Sequence, residues 1–231
     1  MSKAETVSVV PIGIGGYGHT YVRSLLENGR RHGLELVGAV DPQPEKCPLL
    51  SELKAQGIPV LRRSSEFYGS HRADLAVISA PIHLHHRLTL EALQHGSHVL
   101  CEKPAGADLE QAVAMRDAAR AAGRTLAIGF QDSFSARSRE LKKRILEGRF
   151  GAPRRLRTVI AWPRTDAYYA RAPWAGRVTM EDGSPVFDSP ANNATAHYLH
   201  SMFFLLGEDE TAAAMPVRVQ AELYRANTIQ H

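Results

Sequence analysis

The sequence predicts an α/β fold: a doubly wound parallel sheet over residues 1–130, then a second, smaller α/β domain over 131–231. Three observations predict it. Apolar runs alternate with helical stretches up to residue 130, a glycine-rich turn closes the first run, and the alternation then stops. Short strands alternating with helices mean βαβ units and a parallel sheet. Right-handed crossovers put helices on both faces of such a sheet.

The elements follow in order. VSVVPIGI (7–14) is an apolar run ending in glycines, and the next stretch carries Tyr21, Leu25 and Leu26 at helical spacing before stopping at Gly33. ELVGAVD (35–41) reads as a buried strand, and 45–56 as a helix broken by Gly57 and Pro59. ADLAVISAP (73–81) is a strand and 84–95 a helix. SHVLCEKP (97–104) is a strand ending at a proline; Asp108 caps an alanine-rich helix that closes at Gly123, and TLAIGF (125–130) is the next strand. Beyond the boundary, a basic helix covers about 135–148. RRLRTVIAWPR (154–164) and VRVQAELYR (217–225) alternate like antiparallel strands, a turn-rich stretch spans 165–190, and 192–207 is an apolar helix.

Composition narrows the function classes. With 44% hydrophobic residues the chain can bury a core. The net charge of +4 is spread along the chain, and its richest cluster, 137–157, is interrupted by Glu140 and Glu147. That pattern reads as a solvated helix face rather than a nucleic-acid surface. The two cysteines, Cys47 and Cys101, form no pairing pattern, so a reducing, cytoplasmic setting is expected. The N-terminus lacks the features of a signal peptide, and no run of about 18 apolar residues exists to span a membrane.

GIGGYG (13–18) fits the spacing GxGxxG. It follows an apolar strand, opens a helix, and has Asp41 at the end of the next strand, the full context of a dinucleotide-binding Rossmann turn. In this reading Gly13 allows the tight turn, Gly15 lets the backbone approach a pyrophosphate, and Gly18 lets helix and strand pack closely. Gly16 and Tyr17 complete the loop, and the helix N-terminus offers N–H groups to phosphate. Asp41 is placed to accept hydrogen bonds from the adenosine ribose hydroxyls. It would repel a 2′-phosphate, and Pro42 and Gln43 follow with no nearby Arg to embrace that phosphate, so NAD is favoured over NADP. The alternative motif GxxxxGK with Ser or Thr is absent, so a P-loop NTPase is not supported.

GIGGYG, AVDP (39–42), SAPIHLHH (79–86) and EKP (102–104) together resemble the Gfo/Idh/MocA oxidoreductases. The resemblance implies a Rossmann domain joined to an α/β domain with an open, mostly antiparallel sheet. It also implies NAD(P)-dependent oxidation or reduction of sugars, cyclitols or related polyols. Two strands in the second domain leave an uncovered edge and apolar face, so self-association into a homo-oligomer is expected. Carried over, Lys103 resembles the active-site lysine and Glu102 its acidic neighbour on the cofactor side. Pro81 and His85 match a proline-plus-histidine loop near the nicotinamide. In NNATAH, His197 matches a catalytic histidine, whereas Asn193 stands where the family has an aspartate. Proton transfer would then fall to Lys103 and His197, with Asn193 bonding a substrate hydroxyl. The segment 168–177 resembles a pocket-lining stretch, in which Tyr169 and Trp174 either stack on a sugar ring or fill a lid. The chain is shorter than members of this family, so the second domain is expected to be truncated or reduced. The altered aspartate and short second domain keep open an alternative role, a non-catalytic NAD(P)-binding regulator or partner subunit.

Other clusters read more plainly. His83, His85 and His86 lack a carboxylate or cysteine at ligand spacing, so no metal is expected. Cys101 beside Glu102 reads as a small core residue rather than a nucleophile.

Overall fold

The structure is a computed structural model that describes residues 6–222. Contacts divide the chain into two compact units, Met1–Gly129 and Phe130–His231.

The first unit is built on seven parallel strands: β1 (Val7–Ile12), β2 (Leu34–Leu36), β3 (Ala39–Val40), β4 (Val60–Leu61), β5 (Leu75–Ile78), β6 (His98–Cys101) and β7 (Leu126–Ile128). Their order is β4-β3-β1-β5-β6-β7, with β2 also pairing β1. β2 and β3 are two segments of the single strand expected over 35–41. A Cβ at Gly38 would lie 2.7 Å from the Phe67 ring, so the strand yields there to the helix packed across it. The order reverses between β1 and β5, and such a switch point opens a crevice at the C-terminal ends of the strands.

Connecting helices are α1 (His19–Ser24, continued by a π-helical turn Leu25–Gly29), α2 (Leu50–Ala55), α3 (Ser64–Ser70), α4 (Ile82–Gln94) and α5 (Leu109–Ala121). Asp108 caps α5 by accepting the Gln111 N–H at 2.8 Å. Gly123 follows α5 at φ 61°, where a side chain would be strained. The core forms two clusters. One gathers Val10, Ile12, Val40, Phe67, Ile78, Leu88, Val99 and Met115; the other gathers Ile14, Val22, Leu36, Ala39 and Leu53. Neighbouring Ala39 and Val40 fall in different clusters because successive strand residues face opposite sides. Burying both sheet faces this way is the main stabilising term of such a unit.

The sequence reading missed β4 and α3. Two-residue β4 gives no periodic signal of its own and forms because β3 offers it a ladder.

The second unit departs from expectation. Its elements are α6 (Ala136–Leu146), α7 (Asp166–Tyr169), a π-helical turn (Pro190–Ala194) and α8 (Ala196–Leu205). The strand expected over 154–164 is absent, as is any strand over 217–222; residues 223–225 lie outside the described part. Among the described residues, the antiparallel sheet expected here reduces to one isolated bridge between Thr179 and Pro185. The reason is pairing. An alternating segment becomes a strand only when a neighbour satisfies its N–H and C=O groups, and 154–159 are exposed throughout. The ordered part is helical: Lys142 of α6 is buried, donates to the Ala212 carbonyl and lies 4.1 Å from the centre of the Phe204 ring of α8. Among the described residues no helix is long and apolar enough to cross a membrane.

Candidate active site

The glycine loop lies at the switch point. Gly13 has φ 88°, and a Cβ there would sit 2.7 Å from the Ala80 backbone nitrogen. A Cβ on Gly18 would lie 1.8 Å from the Gly13 carbonyl oxygen and 2.4 Å from Ser79 Oγ. These two glycines are therefore required by the packing of the loop itself. Gly15 and Gly16 are different. A Cβ on Gly15 would make only ordinary contacts, 3.4 Å to Asp41 Oδ2 and 3.6 Å to Lys46 Cβ, and one on Gly16 would meet nothing within 4 Å. Neither has positive φ. The protein gives no internal reason for glycine at these two positions, and the open space beside them fits a ligand backbone that needs close approach.

Ser79, at the end of β5, ties this loop down: its hydroxyl donates to the Gly13 carbonyl at 2.6 Å. Nothing in the local sequence singles it out; the β1–β5 pairing delivers it. Asp41 closes the other side. Its Oδ2 accepts the Ile14 and Gly15 N–H groups at 2.8 and 2.9 Å, and its Oδ1 accepts the Gln43 N–H at 2.8 Å. An ionised carboxylate offers about four acceptor positions, so room for a ribose hydroxyl remains. Tyr17 is exposed and packs edge-on against Tyr21, with ring centres 5.9 Å apart.

The end of β6 carries Glu102 and Lys103, and the Lys103–Pro104 peptide is cis. Glu102 accepts the Tyr21 hydroxyl at 2.6 Å and the Lys103 N–H at 3.2 Å. Burial, then the bond to Glu102, holds the Tyr21 phenol far above its usual range, so it stays a donor. Tyr21 is a site residue the sequence reading treated only as a helix-face residue; 81 positions separate it from its partner. Neighbouring Cys101 is fully buried, and burial, with Glu102 adding, pushes its thiol up to about 12. It is an inert core residue.

Pro81 starts α4 in an extended conformation. His85, expected near the nicotinamide, is buried. Its ring is 1% exposed, and its Nδ1 and Nε2 lie 2.8 Å from the carbonyl oxygens of Pro104 and Ala80. Neutral, the ring carries one N–H and donates to one of these two carbonyls; on Nδ1 that proton holds Pro104, behind the Lys103–Pro104 turn. His83 and His86, on the same helix, project at other angles, as residues one and two apart must.

Burial holds the His85 imidazole below the usual histidine value of 6.5, against the opposing pull of the two carbonyls and Glu102. His200 is lowered too, by burial and by His197. A neutral buried histidine takes up fewer protons than the unfolded chain, so stability is full above 6.5 and is lost as pH falls below it. Each such group contributes at most about 1.4 kcal/mol per pH unit. Urea midpoints should therefore drop between about pH 7.5 and about pH 5.5, with a smaller drop in His85→Gln. Equal midpoints at both pH values would refute the neutral, buried assignment.

In the second unit, α8 carries His197, edge-on to Phe130 with ring centres 6.0 Å apart, while His200 stacks on Phe130 at 4.2 Å. Asn193 is nearly buried in the preceding π-helical turn, and its side-chain amide donates to Asp188 Oδ1 at 2.8 Å. Asp188 Oδ2 also accepts the Gly176 N–H at 2.6 Å. A carboxylate thus stands next to Asn193 after all, supplied from five residues upstream. Tyr169 is half-buried against Tyr168, and Trp174 carries the Arg171 guanidinium 4.9 Å from its ring centre.

Comparison with known proteins agrees with this geometry. Residues 7–130 match the family model of the Gfo/Idh/MocA oxidoreductases with an NAD-binding Rossmann fold. The chain is 32% identical over 121 residues to D-glucoside 3-dehydrogenase of Escherichia coli (strain K12), a match covering 52% of this chain and 34% of that protein. It is also 32% identical over 151 residues to 1,5-anhydro-D-fructose reductase of Ensifer adhaerens, covering 64% and 42%. Among solved structures, the WlbA dehydrogenase of Bordetella pertussis in complex with NADH and UDP-GlcNAcA superposes with a TM-score of 0.72 at 28% identity, covering 88% of this chain and 59% of that one. The chain thus spans less than two thirds of each of these relatives. A glycine loop seated on the switch point, an acidic residue closing it and a family match over more than half the chain lead to one assignment: this chain belongs to the Gfo/Idh/MocA oxidoreductases, and its first unit is their NAD-binding Rossmann domain.

Proposed function

We propose that the chain binds NAD(H) in the crevice of its first unit and serves hydride transfer between that cofactor and a hydroxyl or carbonyl carbon of a sugar, cyclitol or related polyol. One observation carries this reading. Gly15 and Gly16 leave unfilled space at the switch point beside Asp41, in the unit whose β6 ends in Glu102 and Lys103. Both curated relatives are named for redox chemistry at sugar hydroxyl or carbonyl groups, which supports the substrate class.

The glycine loop (Gly13, Gly15, Gly16, Tyr17, Gly18) and Asp41 hold the dinucleotide. Pro81 and Glu102 flank its nicotinamide end, and His85 acts at a distance by fixing the Pro104 carbonyl. When bound, the cofactor supplies the hydride chemistry. Lys103 polarises the substrate oxygen and moves its proton, and His197 is the second acid–base group. Asn193, oriented by Asp188, bonds a substrate hydroxyl, and Tyr169 and Trp174 line the pocket. The second domain, 131–231, is the substrate-binding and oligomerisation domain. Association into a homo-oligomer belongs to the same reading. The buried free thiols of Cys47 and Cys101 support a cytoplasmic setting.

Calorimetric titration should show NADH binding more tightly than NADPH, because the Asp41 carboxylate repels a 2′-phosphate. A polyol and sugar panel followed at 340 nm should then show turnover. NADH binding without turnover on any substrate would assign the alternative role, a regulator or partner subunit. Absence of binding would reject the cofactor reading.

A further inference from the structure

In the second unit Trp162, Arg164, Tyr168, Arg171 and Trp174 stack as a ladder of alternating rings and guanidiniums. The Arg164 guanidinium lies 3.7 Å from the centre of the Trp162 ring and 4.3 Å from that of Tyr168. The Arg171 guanidinium lies 3.6 Å from the same Tyr168 centre and 4.9 Å from that of Trp174. Helix α7 sets this spacing, with Arg164 before it, Tyr168 on it and Arg171 after it. Two like charges thus share one ring. Among the described residues neither has a carboxylate within 4.0 Å, whereas Arg144, Arg149 and Arg177 of the same unit each pair with a glutamate. Arg164 Nε is buried with no hydrogen-bond partner among the described residues, so the rings are what hold that side chain. One Nη of each guanidinium reaches a backbone carbonyl, Pro163 at 3.4 Å for Arg164 and Tyr168 at 2.7 Å for Arg171. A guanidinium carries five N–H donors, so most of each fork is left for an acceptor from outside. The rings attract the two cations but do not relieve their mutual repulsion, which an anion between the forks would.

We propose that Arg164 and Arg171 form a binding site for a phosphoryl group, carried as a phosphate monoester or a diphosphate. One fork already fills the two oxygens of a carboxylate, whereas a phosphoryl group offers three terminal oxygens and a diphosphate more, enough for both forks. Stacking on the rings holds the planar forks in place beforehand, so little side-chain freedom is lost on binding. The group belongs to a phosphorylated substrate or to free phosphate. The first source rests on the functional reading above, in which Trp174 lines the substrate pocket; binding itself does not.

The two tryptophans of the chain are the two ends of the ladder, so intrinsic fluorescence of the whole chain reports on it directly. At constant ionic strength, inorganic phosphate and pyrophosphate should each give a saturable change. Pyrophosphate should bind about tenfold more tightly than phosphate, and acetate about tenfold more weakly. Arg164→Gln and Arg171→Gln should each weaken pyrophosphate about tenfold, and Arg171→Lys nearly as much, because an ammonium keeps the charge and loses the fork. Arg157→Gln, at an exposed arginine outside the ladder, should stay within about twofold of wild type. Calorimetry repeats the pyrophosphate titrations, so that a lost signal is not mistaken for lost binding. Saturating NAD should leave the midpoint in place. The proposal falls if neither phosphate nor pyrophosphate binds, if acetate matches phosphate, or if Arg171→Lys binds like the wild type. It falls equally if Arg157→Gln weakens binding as much as the ladder variants, or if NAD displaces the probe. Rates at 340 nm then separate the sources. Phosphorylated sugars turned over with a KM raised about tenfold by Arg171→Gln assign the site to the substrate. Turnover of neutral sugars alone assigns it to free phosphate. No turnover on any sugar rejects the functional reading and leaves the fluorescence result standing.

Discussion

Gly18→Ala should unfold the first unit at much lower temperature and abolish measurable NADH binding. The added Cβ would lie 1.8 Å from the Gly13 carbonyl oxygen, 2.4 Å from Ser79 Oγ and 2.8 Å from the Gly13 carbonyl carbon. Two of those atoms are backbone, and the third is held by its own hydrogen bond to the same carbonyl. No flexible side chain can move away, so the start of α1 must leave the end of β1. Such overpacking against rigid atoms costs about 3 kcal/mol. In a chain of this size that lowers Tm by roughly 6–12 °C. The contrast is Gly15→Ala. Its Cβ would make only ordinary contacts with Asp41 and Lys46, so stability should change by less than about 1 kcal/mol. NADH affinity should still fall by tenfold or so, because the methyl group enters the space a pyrophosphate needs. Calorimetric melting and NADH titration of both variants separate a glycine needed by the fold from one needed by the ligand. A Gly18→Ala protein that melted with the wild type would show the loop packing to be wrong.

Lys103→Ala should cut turnover by about two orders of magnitude or more, the usual contribution of a positioned acid–base group. NADH affinity should stay within roughly threefold of wild type, because the glycine loop and Asp41 carry that binding. The residue lies two positions after β6, its backbone N–H donates to Glu102, and the turn it opens is fixed by His85 through the Pro104 carbonyl. Removing the side chain leaves that scaffold in place. Steady-state rates at 340 nm on the best substrate of the panel, with parallel NADH titration, decide the matter. Near-wild-type turnover would remove Lys103 from the chemistry, and equal losses in turnover and cofactor affinity would make it a structural residue.

The amino-acid sequence by itself determined the parallel α/β unit, its glycine loop, the acidic residue closing that loop and the EKP strand end. These signals are local: apolar runs, the residues that break them, and residue types at fixed short spacing. The Asp108 cap and the Gly123 stop of α5 were legible for the same reason, since capping involves neighbours within one turn. Only the tertiary structure decided which distant groups meet. Ser79 reaches the Gly13 carbonyl through the pairing of β1 with β5, and Tyr21 reaches Glu102 across the switch point. Arg62 reaches the Pro42 carbonyl through the pairing of β3 with β4. His85 reads in the sequence as a residue of the loop near the nicotinamide, and the packing of α4 adds that its ring faces two carbonyls. The segment 154–164 shows the same limit from the other side. Its alternation permits a strand, but a strand also needs a partner to complete its hydrogen bonds, and among the described residues none is there to pair with it.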